Sequence, residues 1–149
     1  MSLRVAVVDD DDVTRRGPRA ILGDHPDIEV VLAVSHDDAT GPWDEVDLLL
    51  VDASDHRRTD DQFPGVGVVE AVRASGHPDC TIVVLTGVLF DDVVRRRMRE
   101  AGADFYYHRS ELADAAKLLD VVLGRVDRCG VPEPIEPAAL LRLGITDRP

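Results

Sequence analysis

The chain has 149 residues, 44% of them hydrophobic, enough for one core and too few for two ordinary domains. Its formal net charge of -12 argues against general affinity for nucleic acid or acidic lipid, since like charge repels phosphate. No apolar run approaches the ~18 residues a membrane helix needs, and Cys80 and Cys129 form neither a metal-ligand spacing nor a disulfide framework, so a cytoplasmic protein with no membrane partner is expected.

In chain order, residues 4–8 are a short valine-rich run that ends on Asp9, Asp10, Asp11 and Asp12, a buried strand entering a polar loop. Residues 13–23 carry Val13, Ala20, Ile21 and Leu22 at helical spacing, and Gly17 and Pro18 predict a kink or a late start. Residues 28–34 are the second strand. The polar stretch 35–45, broken by Gly41 and Pro42 with Trp43 as its large apolar group, predicts a short, poorly defined helix. Residues 47–51 give a third strand ending on Asp52, followed by a mobile polar loop to Gln62. Residues 66–74 form a helix with Val68, Val69 and Val72 turned to the core. Residues 81–85 are the fourth strand, ending at Thr86. Residues 91–101 form an amphipathic helix with Val94, Met98 and Ala101 on one face, Gly102 as its C-terminal cap and arginines opposite. Residues 104–108 are a fifth, aromatic strand. Residues 110–127 predict one long helix capped by Ser110, with Leu112, Ala115, Ala116, Leu119, Val122, Leu123 and Val126 inward. Three prolines in residues 129–137 mark a linker, and 138–143 a turn or two of helix.

Five strands alternating with helices, apolar along their length, imply a parallel α/β sheet covered on both faces. Right-handed crossovers then favour the doubly wound flavodoxin-like (βα)5 order 2-1-3-4-5, whose ligand crevice lies at the carboxyl ends of the first and third strands. The residues at the strand ends therefore converge on one rim: Asp9 and Asp10, then Asp52, Thr86 and Arg109. Three carboxylates so close repel one another and imply a divalent cation, and carboxylate oxygens with water suit Mg2+ (or Mn2+). With that charge neutralised, Asp52 can act as a nucleophile toward phosphorus, with the Thr86 hydroxyl and the Arg109 charge on the phosphoryl oxygens.

From residue 4 to 128 the chain resembles the receiver domain of bacterial two-component response regulators. VVDDDDVTRRG at 7–17 is similar to the family's acidic-pair motif, DLLLVD at 47–52 to its phosphoacceptor strand, VVLTG at 83–87 to its switch-threonine segment, and AGADFYYHR at 101–109 to its last motif. The resemblance implies Mg2+ on Asp9, Asp10, Asp52 and the Ser54 backbone carbonyl, phosphoryl transfer to Asp52 from a histidine kinase, Thr86 and Arg109 assisting, and Tyr106 as the switch aromatic. It also implies a homodimer on activation and no enzymatic action beyond Mg2+-dependent self-phosphorylation and dephosphorylation. The arginine pairs and the AGAD phrase are most similar to LuxR/NarL-type transcription regulators, in which DNA is reached through an output domain; residues 129–149 are too few to supply one. There are three departures: Arg109 stands where the family has lysine, the sole lysine being Lys117; Phe63 and Pro64 follow the acceptor strand only after an insertion from Ala53; and Pro18 interrupts the first helix.

Blander readings stand beside these. Asp9 to Asp12 fits a solvated loop with a helix cap, Arg109 a local ion pair, and Tyr106 an ordinary half-buried strand aromatic. Gly65 and Gly67 lack the rest of a dinucleotide fingerprint, and the five histidines lack zinc spacing. Arg95, Arg96, Arg97 and Arg99 fit a solvated face. Two other functions compete with the phosphoacceptor: a phosphorylation-independent receiver acting as a protein interaction module, motivated by Arg109 and the inserted loop, and a phosphohydrolase using Asp52 and Asp55, whose spacing is one residue too long.

Overall fold

The computed structural model describes residues 2–53, 63–75, 79–87 and 92–126. Five strands, β1 (Leu3–Val8), β2 (Ile28–Val34), β3 (Leu48–Asp52), β4 (Thr81–Thr86) and β5 (Phe105–His108), form one all-parallel sheet in the order β2-β1-β3-β4-β5. The helices are α1 (Asp12–Gly23), α2 (Pro64–Ala74), α3 (Asp92–Ala101) and α4 (Ala115–Leu123). Every residue of β3 is buried, because it lies between two cores. Leu48 and Leu50 face Val5, Val7 and Leu22, with Leu118 and Val121 of α4. Leu49 and Val51 face Ala6 and Val8, with Val69 and Val72 of α2 and Val94 and Met98 of α3. Each fully buried leucine contributes about 1.5–3 kcal/mol over an exposed one. Two-sided burial is why these strands read as continuous apolar runs, and it leaves the strand ends as the place for polar chemistry.

Several expectations are corrected. Helix α1 starts at Asp12 and runs unbroken through Pro18, and Val13 is exposed, not inward. The β2–β3 crossover holds no α-helix, only a single 3-10 turn at His36–Asp38. Gly41, at φ +85°, and Pro42 turn the chain so that Trp43 plugs the α2-side core.

The expected 110–127 helix is in fact two pieces. A 3-10 turn at Arg109–Leu112 is capped by His108, whose amide donates to Glu111 at 3.0 Å. After a break, Asp114 caps α4 by accepting from the Ala116 amide at 2.8 Å, and Gly124, at φ +70°, closes it. Leu118, Val121 and Val122 are its buried residues, whereas Ala115, Ala116 and Val126 are exposed; the break rotates the inward face. The Ser54 and Asp55 assignments, the loop to Gln62 and the tail beyond residue 126 lie outside the described residues.

At the opposite end of the sheet from the acidic rim, Arg73 joins three segments. Its guanidinium donates to the Gly102 carbonyl at 2.9 and 3.0 Å, to the Cys80 carbonyl at 2.8 Å and to Asp104 at 2.9 Å. Asp104 in turn accepts from the Ile82 amide at 2.8 Å. This ties α2 to the start of β4 and to the α3–β5 turn, where Gly102 (φ +110°) is the expected cap.

Candidate functional site

The four consecutive aspartates divide by position. Asp9 and Asp10 leave β1 and are buried; Asp11 caps α1, accepting from the Val13 and Thr14 amides at 2.9 and 3.3 Å; Asp12, in the first turn, pairs with Arg15 and Arg16 at 3.0 and 2.9 Å. The expected convergence and the bland capping reading thus apply to different members of one run. Asp52 ends β3 beside β1 and is also buried. Carboxylate oxygens of Asp9, Asp10 and Asp52 all lie within 4.8 Å of one another.

Arg109, placed at the rim by the 3-10 turn after β5, closes this cluster from above. Its Nη2 donates to Asp9 Oδ2 at 3.1 Å and to Asp52 Oδ2 in a very close contact. Burial pulls Arg109 toward neutrality, but the charges of Asp52 and Asp9 outweigh it and hold the guanidinium above its ordinary pKa. Burial pushes the Asp9 carboxyl above the usual carboxylate range, against the pull of the Asp11 amide and of Arg109, while Asp10 adds to the rise. The site therefore holds more negative charge than its surroundings comfortably solvate. Its donors are all carboxylate oxygens, with no thiolate or imidazole among the described residues, a set that suits a hard divalent cation such as Mg2+ or Mn2+.

Thr86 ends β4 and is buried one strand along from Asp52, in register with His108. Tyr106 is buried on the α2–α3 side with the Arg95 guanidinium 5.8 Å over its ring, and Arg97 lies 5.6 Å over Phe63. Arg95 and Arg97 are therefore stacked on aromatic rings, so the solvated-face reading holds only for Arg96 and Arg99.

Three further residues, given no role at this site by the sequence, contribute. The Arg15 Nη1 donates to the Asp9 carbonyl at 2.6 Å. The ring of His36, from the turn after β2, meets the Asp52 carbonyl at 2.8 Å. Gly65, which by sequence is only a fragment of a dinucleotide motif, lets α2 approach the acceptor strand: a Cβ there would sit 2.3 Å from the Asp52 carbonyl oxygen. A glycine in the first turn after the loop was the available signal for Gly65. For His36 there was none, because β1 separates β2 from β3 in the sheet and the contact reaches past a strand end.

A five-stranded parallel sheet of this order is the doubly wound, flavodoxin-like fold, and the acidic cluster lies at its switch point. No protein-family model matches the chain. The response regulator GacA of Pseudomonas viridiflava is 32% identical over 126 residues, covering 78% of this chain and 55% of that protein, so the chain spans about half the length of the relative it matches. Among solved structures, a LuxR-family two-component response regulator from Aurantimonas sp. SI85-9A1 aligns with TM-score 0.66 and 22% identity over 89% of this chain and 91% of that one. The chemotaxis protein CheY4 of Vibrio cholerae aligns with TM-score 0.65 and 21% identity over 85% of this chain and all of its own. In sequence the chain is similar to response regulators, and it has the doubly wound fold of their solved structures.

Proposed function

We propose that residues 4–128 form a phosphoacceptor switch of a two-component system, with Asp52 as the acceptor. The observation that carries this is the buried cluster of Asp9, Asp10 and Asp52 at the switch point of the sheet, with Arg109 and Thr86 beside it. An Asp52 oxygen attacks the phosphorus of a donor phosphohistidine, the P–N bond breaks, and the imidazole nitrogen takes up a proton as an acyl phosphate forms on Asp52. Asp9, Asp10 and Asp52, with the Ser54 carbonyl implied by the family resemblance, would hold Mg2+ or Mn2+, which supplies positive charge against the phosphoryl oxygens. Arg109 leaves its carboxylate partners to meet the new anion, and Thr86 donates its hydroxyl. Tyr106, packed between β5 and Arg95, is the aromatic that reports the change. The partners are a histidine kinase, a second copy of the chain on activation, and an output domain through which DNA is reached, in a cytoplasmic protein that turns over no external substrate.

A second reading, a phosphorylation-independent interaction module, is favoured by one observation: Arg109 already neutralises Asp9 and Asp52 from within the chain. Intact-mass measurement after incubation with acetyl phosphate and Mg2+ separates the two. The switch gains one phosphoryl group in the native protein and none in Asp52→Asn, whereas the module gains none in either.

A further inference from the structure

The carbonyl of Asp52 is held as deliberately as its side chain. β3 ends there, and the next amide, that of Ala53, continues the ladder by donating to the Leu85 carbonyl at 2.9 Å. On the other side the Gly65 amide donates to the Ala53 carbonyl at 3.2 Å, and the missing Cβ of Gly65 leaves the Asp52 carbonyl accessible. His36, itself buried, meets the same carbonyl, with Nε2 2.8 Å from the Asp52 oxygen.

A carbonyl can only accept, so Nε2 carries the proton and donates. The other ring nitrogen, Nδ1, is buried and makes no hydrogen bond among the described residues. Burying an unpaired ring nitrogen is unfavourable, and a leucine would fill the same turn without it. Among the described residues the ring makes one hydrogen bond, to Asp52. That bond holds the carbonyl side of the peptide whose amide side Ala53 ties to Leu85, and so bears on the direction in which the Asp52 carboxylate meets Asp9, Asp10 and Arg109.

Resting on the reading of Asp52 as phosphoacceptor, we infer that His36 is a positioning residue, which orients the acceptor by donating from Nε2 to its main-chain carbonyl. It touches neither phosphoryl group nor metal, and acts through the strand end. Its spacing, sixteen residues before Asp52, ties the helix-less β2–β3 crossover to the site.

The test compares His36→Leu, which removes the donor, with His36→Gln, whose amide N–H has similar reach. Three quantities are measured in each: the initial rate of phosphorylation by acetyl phosphate, the Mg2+ dissociation constant by calorimetry, and the melting temperature. Misorienting a reacting group costs roughly tenfold or more in rate. The expected result is a loss of about that size in His36→Leu with weaker Mg2+ binding, and recovery of most of both in His36→Gln. A role in packing alone lowers the melting temperature of both variants while the rate and Mg2+ affinity of the folded protein stay at the native values; that outcome overturns the inference. If the native protein itself takes no phosphoryl group, the acceptor reading fails, and the Mg2+ affinities of the three proteins still decide whether His36 orients Asp52.

Discussion

Replacing Arg109 with methionine keeps most of the side-chain length and removes the charge that spans Asp9 and Asp52. Unit charges 4.8 Å apart, the outer limit within the acidic cluster, repel by about 3.5 kcal/mol at an effective dielectric of ~20. Removing one partner of a buried ion pair costs about 3–5 kcal/mol, and the one-third exposure of Arg109 lowers that to about 2–3 kcal/mol. Urea unfolding, followed through the fluorescence of the buried and sole tryptophan, Trp43, reads this directly. In EDTA at neutral pH the Arg109→Met protein should be less stable by about 2–3 kcal/mol. With millimolar Mg2+ the gap should narrow, because the divalent charge replaces the lost one. It should also narrow as pH falls, since Asp9, whose carboxyl burial already holds above the usual range, takes up a proton and relieves the repulsion. Equal losses in EDTA and Mg2+ would refute the electrostatic reasoning and leave Arg109 as a packing residue.

Gly65→Ala should destabilise the domain by about 1–3 kcal/mol and slow phosphorylation, since the new Cβ must displace the Asp52 carbonyl; Gly67→Ala, with open space around it, should do neither, as urea melts and acetyl phosphate labelling would show. Arg73→Ala should cost about 1–3 kcal/mol, because it leaves the Gly102 and Cys80 carbonyls without this donor and breaks a partly exposed pair with Asp104, yet leave the affinity for Mg2+ at the far rim unchanged in the folded protein. Burial pushes the Cys80 thiol up from 9.0 to about 11. Its contribution to stability is therefore complete below pH 9 and lost as pH rises through 11. The native protein should lose about 2–3 kcal/mol relative to Cys80→Ala across that window in paired urea titrations.

The parts of the fold legible in the sequence were set by chemistry that acts locally or through one topological rule. The valine-rich strands each stop on a polar residue, and the order of a doubly wound sheet then brings Asp9, Asp10 and Asp52 to one edge. Three features escaped. The helical periodicity of residues 110–127 continues across Ala113, and only the rival caps Ser110 and Asp114, indistinguishable in isolation, decide where the helix begins. Pro18 reads as a breaker, yet α1 continues through it. His36 carries no pattern at all, since its contact is made past an intervening strand.

The central claim, that Asp52 is the nucleophile of this acidic cluster, is tested most directly by locating the label. Acyl phosphates are reduced by borohydride to the alcohol, which turns a phosphorylated aspartate into homoserine and marks it permanently. After treatment with acetyl phosphate and Mg2+, reduction and proteolysis, peptide mass spectrometry should find homoserine at position 52 and at no other aspartate. Homoserine at Asp9 or Asp10, with position 52 unchanged, would contradict the account.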